Sequence, residues 1–110
     1  MPDPIKRLPD VPAERTLRVI GGRGKLAVLH HLLGGPKRFS ELERVAPGLS
    51  RKVLAHQLRA MQEHGIVQRI AAEGVAPRKG YSLTQLGQSL GPVVTTLSEW
   101  GRQLARQRGR

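Results

Sequence analysis

Lys52, His56 and Arg59 fall on one side of a helix that the pattern places over residues 50–64, and all three end in nitrogen donors. Leu54, Leu58 and Met61 recur on the other side at i, i+4 and i+7, which turns that side towards a core. Donors so spaced can reach guanine acceptors or backbone phosphates, and Ala55 is small enough to let a helix approach a thymine methyl. Arg51 lies on the flank, and Ser50, a favoured N-cap, can share the helix N-terminus with a phosphate. A second cationic set, Arg78 and Lys79, falls near the tip of an expected hairpin, with Arg69 on its first strand. An arginine placed there can enter a narrow minor groove. The competing reading of both sets is a solvated surface, the ordinary fate of charged side chains.

The whole chain shares this bias. Nineteen Lys and Arg against eight Asp and Glu give 110 residues a formal charge of +11. Such a field suits a polyanionic partner, and nucleic acid, an anionic membrane surface and an acidic protein all satisfy it. No apolar run approaches the roughly 20 residues that cross a bilayer, and Pro2, Asp3 and Pro4 stand where a signal peptide needs its apolar segment. A cytoplasmic protein without membrane contact is expected. The absence of Cys excludes disulfides, thiolate metal sites and thiol redox switching within these residues.

His30, His31, His56 and His64 lack a partner at metal-ligand spacing, so no metal or other cofactor is expected. His30 and His31 read as partly buried helix residues, and His64 as a favourable charge at a helix C-terminus. Glu41, Glu43, Glu63, Glu73 and Glu99 occupy capping or surface positions rather than forming a carboxylate pair, and the chain reads as a binding protein, not an enzyme.

The elements that must position these side chains follow from punctuation. Prolines 2, 4, 9 and 12 mark residues 1–12 as a flexible arm. Leu17 and Ile20 share a face of a short helix over 13–20, closed by Gly21 and Gly22. Leu26, Leu29, His30, Leu32 and Leu33 define a helix over 24–34, and Gly34, Gly35 and Pro36 stop it. Phe39, Leu42 and Val45 mark a short third helix, with Ser40 as cap and Glu43 three residues on. The turn Ala46-Pro47-Gly48-Leu49 then leads to Ser50, a helix-turn-helix arrangement.

Residues 66–72 and 79–83 read as a hairpin around Glu73-Gly74 and Pro77. Thr84 caps a final helical stretch in which Leu86, Leu90, Val93, Leu97, Trp100 and Leu104 alternate steps of four and three. Gly91-Pro92 predicts a kink or restart within it, and residues 102–110 are expected to fray. The expected fold is mainly α with a small β-hairpin wing: one domain over 13–104, between the arm and a basic tail at 105–110. With one Phe, one Tyr and one Trp, its core must be aliphatic.

From Val11 to Gly101 the sequence resembles the HxlR-type winged helix-turn-helix regulators, relatives of the MarR group. The resemblance is carried by Gly35-Pro36-Lys37-Arg38-Phe39-Ser40-Glu41-Leu42, Pro47-Gly48-Leu49-Ser50 with Lys52-Val53-Leu54 and Leu58-Arg59, Tyr81-Ser82-Leu83-Thr84 with Leu86-Gly87, and Glu99-Trp100-Gly101. It implies a homodimer joined through N- and C-terminal helices, with Leu17, Ile20, Leu90, Val93, Leu97, Trp100 and Leu104 at the interface. It also implies double-stranded DNA as partner, with residues 50–64 in the major groove of a palindromic operator and 66–83 as the wing at the minor groove. Arg38 would lie near the DNA backbone while Phe39 and Leu42 pack inside.

Three departures stand out. Val11 occupies a position where many relatives carry a sensing cysteine. Gly24 stands where they carry a tryptophan, which leaves a void, room for other side chains, or a pocket for an unknown small-molecule effector. Lys79-Gly80 predicts a more basic and more flexible wing. The rival function is a non-specific architectural protein that binds DNA or RNA by charge alone, and an interaction adaptor that has lost DNA binding is a third.

Overall fold

The computed structural model describes residues 11–22, 24–46, 48–72 and 78–108. Helix α1 spans Pro12–Ile20. Pro12, expected in the arm, is its first residue, where a missing N–H costs nothing, and Glu14 lies in the positive first turn. Helix α2 (Lys25–Leu33) follows. Lys25 is buried at its start and donates its ammonium to the Val19 carbonyl at 3.3 Å, placing a cation on the negative end of α1.

A two-residue strand β1 (Lys37–Arg38) leads into α3 (Phe39–Val45), and α4 spans Arg51–Glu63. Strands β2 (Val67–Ala72) and β3 (Arg78–Leu83) form the hairpin, whose connecting residues lie outside the described residues. The sheet is antiparallel in the order β1-β3-β2, so β3 is central, with Gly80 opposite Arg38 on one side and Ile70 on the other. Helix α5 (Gln85–Gln88) is a single turn, and α6 (Gly91–Gln107) restarts with Pro92 in its first turn. The helical backbone continues past Leu104 into the stretch expected as tail.

The core is aliphatic. Ile20, Val28, Leu29, Leu32, Leu42, Leu54, Leu58, Met61, Ile66, Val67, Leu83 and Val94 form one buried cluster, with Phe39 and Tyr81 packed at its edge. Each buried aliphatic side chain contributes roughly 1.5–3 kcal/mol of transfer free energy, so this cluster fixes the helices around the sheet. Leu26 and His30, read with the inner face of α2, are exposed instead, and Val28 takes the inner position.

The Gly24 expectation resolves through packing. Leu49, from the turn before α4, fills the space where a side chain at residue 24 would stand: a Cβ there would lie 2.9 Å from Leu49 Cγ. Gly24 also has φ +78°, a conformation that L side chains rarely adopt. Of the three expectations, the structure shows another side chain, Leu49, in that space. Gly80, expected to loosen the wing, sits instead in the strand that is paired on both sides. A Cβ there would come within 3.4 Å of the Lys37 carbonyl and 3.5 Å of Ile70 Cγ1. No described helix is long and apolar enough to cross a membrane.

Candidate nucleic-acid interface

Helix α4 is positioned from both ends and from below. Ser50 Oγ accepts from the Val53 N–H at 3.1 Å, satisfying a donor that the first turn leaves unpaired. At the other end His64 Nδ1 lies 2.9 Å from the Ala60 carbonyl, an N–H donation to one of the last unpaired acceptors. Leu54, Leu58 and Met61 are almost wholly buried beneath it. The outer surface presents Lys52, His56 and Arg59 to solvent, and none of the three has a partner among the described residues. Ala55 is half-buried on the flank rather than at the centre of that surface.

Arg51 lies at the flank of α4, with its side chain 77% exposed. Its guanidinium lies 5.3 Å from the centroid of the Phe39 ring and 3.6 Å from Glu43 Oε1. It therefore ties the first turn of α4 to α3 and helps fix the angle between the two helices, a positioning contact at the rim. The spacing could have shown this, since Phe39 and Glu43 are four apart on one face of α3.

Two further exposed residues share the outer surface of α4 but were not among the expected contacts. Val53 is 37% exposed beside Lys52, and Glu63 closes the surface with a negative charge. A helical projection locates both.

Arg38 is brought to the sheet by a contact that periodicity could not show. As part of β1 it pairs with Gly80 of β3, and its backbone N–H donates to Glu41 Oε1 at 2.8 Å, starting α3 at Phe39. The cap thus stands at Arg38, two residues before the expected Ser40, because strand pairing keeps Arg38 extended until the helix begins. The side chains of Arg38 and Glu41 also pair at 3.6 Å. Glu41 is consequently held below the ordinary carboxylate range, chiefly by the Arg38 N–H, against the opposing effect of desolvation and with further help from the positive charges of Arg38 and Lys37.

Arg69 lies opposite Tyr81 in the β2–β3 register, with its guanidinium 5.6 Å from the ring centroid. Arg78 and Lys79 open β3 opposite Ala72 and Ala71. The structure thus gathers Arg38, Arg69 and the start of β3 around one sheet, while Lys52, His56 and Arg59 line α4.

A hydroxyl joins the segment after α4 to the C-terminal helices. Thr84 Oγ1 donates to the Gly65 carbonyl at 2.5 Å and accepts from the Gly87 N–H at 3.1 Å. Gly87 has no room for a side chain, since a Cβ there would meet the Ile66 carbonyl. The segment that follows α4 and the start of α5 are therefore in direct contact.

The residues expected at a dimer interface divide into two sets. Val93, Leu97, Trp100 and Leu104 are exposed along one side of α6, and Leu17 is exposed on α1. Leu90 packs against the core, and Ile20 is 1% exposed within it. Ile20 is a core residue of the protomer: the face it shares with Leu17 on α1 turns inward at its C-terminal end, where the chain folds onto α2.

The profile of HxlR-like helix-turn-helix proteins matches residues 19–108. YybR of Bacillus subtilis (strain 168), an uncharacterised HTH-type transcriptional regulator, is 42% identical over 90 residues, covering 82% of this chain and 72% of its own. The redox regulator HypR in its reduced form superposes with a TM-score of 0.78 at 41% identity, over 84% of this chain and 92% of that one. A MarR-family regulator from Enterococcus faecalis V583 gives a TM-score of 0.75 at 33% identity, over 93% and 94% of the two chains.

Proposed function

The chain belongs to the HxlR-like helix-turn-helix family, whose members are winged-helix transcriptional regulators and not enzymes, and we propose that it acts as a homodimer on a palindromic DNA operator. Each protomer inserts α4 into the major groove and sets the β2–β3 wing against the neighbouring minor groove. Lys52, His56 and Arg59 meet base edges or phosphates, and Arg38, Arg69, Arg78 and Lys79 contact the backbone beside them. The observation that carries this reading is the outer surface of α4, cationic and without partners among the described residues, on a helix whose inner side is locked into the core.

The homodimer is supported by the apolar side of α6, where Trp100 is 62% exposed. A two-fold pair would present its recognition helices about 34–36 Å apart, one turn of the duplex. HypR is a redox regulator, whereas these 110 residues contain no cysteine, so thiol oxidation does not transfer to this chain.

Fluorescence anisotropy at fixed salt tests the reading, with a footprint-selected palindrome against a scrambled duplex. The expected preference is about a thousandfold or more, and equal affinity for both duplexes identifies a non-specific basic protein instead. Lys52→Ala and Arg59→Ala should each cost about 1–3 kcal/mol on the palindrome where the side chain reads a base. A side chain on phosphate should instead weaken all duplexes evenly and lower the salt slope by about one.

A further inference from the structure

The inner side of α4 is supplied by Leu54, Leu58 and Met61, and Val53 stands outside the core cluster that they join. It is 37% exposed. A single exposed valine needs no explanation on an ordinary surface, but this one stands in the first turn of a helix whose other outward side chains include Lys52, His56 and Arg59. Valine is also a poorer helix former than alanine or the straight-chain polar residues, so local propensity does not favour it there.

Both its backbone and its side chain are fixed. The Val53 N–H donates to Ser50 Oγ at 3.1 Å, which places the residue in the capped first turn. Branching at Cβ leaves a helical valine essentially one χ1 rotamer, so its two methyl groups are presented with little entropy left to lose. His56, three residues on, shares its side of the helix, and Lys52 precedes it. The far end of α4 carries exposed Glu63, a carboxylate that phosphates repel, together with the negative end of the helix dipole. The capped end is therefore the one suited to approach a polyanion, and the N-terminal residues of a recognition helix are those that reach base edges.

We propose that Val53 is a specificity-determining residue that reads the C5-methyl of one thymine in each half-site of the operator. This rests on the DNA-binding reading of α4. The donors and acceptors of a major-groove edge suit Lys52, His56 and Arg59, whereas the thymine methyl is the apolar element of that code and suits an apolar surface. Residues 53–55 are all apolar, yet Leu54 is buried and Ala55 half-buried, so Val53 alone of the three is exposed. The contact carries no charge, and it adds base discrimination without adding to the salt-dependent part of the affinity.

Fluorescence anisotropy of the full chain tests this on the footprint-selected palindrome, with each half-site thymine replaced in turn by uracil in both halves. Uracil lacks only the methyl and keeps every hydrogen-bonding group. One thymine position is expected at which uracil weakens wild-type binding, about fourfold for each methyl removed. Val53→Ala should bind the parent palindrome more weakly and treat thymine and uracil alike at that position, with salt slope and melting temperature unchanged. Val53→Ile, which keeps a branched apolar side chain, should keep the preference for thymine. Wild type that binds every uracil duplex as tightly as the parent overturns the proposal, and so does Val53→Ala that still prefers thymine. In either case a retained preference for the palindrome over a scrambled duplex leaves the DNA-binding reading standing, whereas equal affinity for those two duplexes removes both. Lost discrimination in Val53→Ile as well as Val53→Ala, or a lower melting temperature in Val53→Ala, assigns Val53 to holding α4 in place and also overturns the proposal.

Discussion

Helices α4 and α6 both lie at the surface and both carry an apolar side, but they leave opposite kinds of residue uncovered. In α4 the apolar side is fully used by the protomer, with Leu54, Leu58 and Met61 buried and Lys52, His56 and Arg59 in solvent. In α6 only Val94 is buried, against 17 residues of helix, while Leu97 and Leu104 are each 40% exposed and Trp100 more so. Cations in water cost nothing, but a contiguous apolar stripe does, and it is the second kind of surface that the proposed homodimer would cover. The first helix therefore has its apolar side covered within the chain, and the second leaves most of its apolar side exposed.

Two substitutions can break that contrast. Leu58→Ala should destabilise the protomer by about 2–5 kcal/mol, since it deletes a side chain from the centre of the cluster and leaves a cavity. Chemical denaturation reads this directly, and a loss below 1 kcal/mol would mean that α4 is less firmly seated than its burial implies. Trp100→Ala should leave the protomer's packing intact but weaken self-association by about 2 kcal/mol or more, roughly thirtyfold in dissociation constant. Sedimentation velocity across a concentration series would detect it, and an unchanged distribution would place the interface elsewhere than on α6.

A smaller effect separates how α4 is started from how it is held. Ser50→Ala removes the acceptor for the Val53 N–H and should cost about 1 kcal/mol. The loss should be the same from pH 4 to pH 8, because a hydroxyl cap carries no charge in that range. A pH-dependent difference would mean that another group has taken over the cap.

The parts of the molecule that local chemistry dictates were legible in the sequence. Ser50 and Thr84 cap as their types imply, the inner side of α4 follows its i, i+4, i+7 spacing, and Pro92 restarts the last helix as a proline must. What escaped depends on residues distant along the chain. Strand β1 is two residues long and exists only because β3 lies beside it, so no period could reveal it, and with it went the cap at Arg38. Leu49 fills the space at Gly24 from 25 positions away. Ile20 and Leu17 have the same spacing logic, yet only the fold decides that one faces the core and the other water. The cations on the outer surface of α4 were readable in type, while the contact of Arg51 with Phe39 and Glu43 needed the turn between the helices to close.

The cap of α3 offers the finest test of the contrast between the elements around the interface, because it is charged where the cap of α4 is neutral. Glu41 accepts from the Arg38 N–H and faces the Arg38 guanidinium, and both favour its ionised form. Its carboxyl therefore titrates lower in the folded chain than in the unfolded one. The stabilisation is fully present above the unfolded carboxylate range and fades as pH falls through the lower folded value. Glu41 is solvent-exposed, so the effect is smaller than that of Ser50→Ala and is screened by salt. Denaturation of wild type and Glu41→Gln at low ionic strength should show wild type slightly more stable at neutral pH, with the gap closing as acid protonates Glu41. A gap that stayed constant into acid would assign the stabilisation to hydrogen-bond geometry, which Gln shares in part, rather than to charge. In that case the wing side of the interface would be as insensitive to pH as the start of α4.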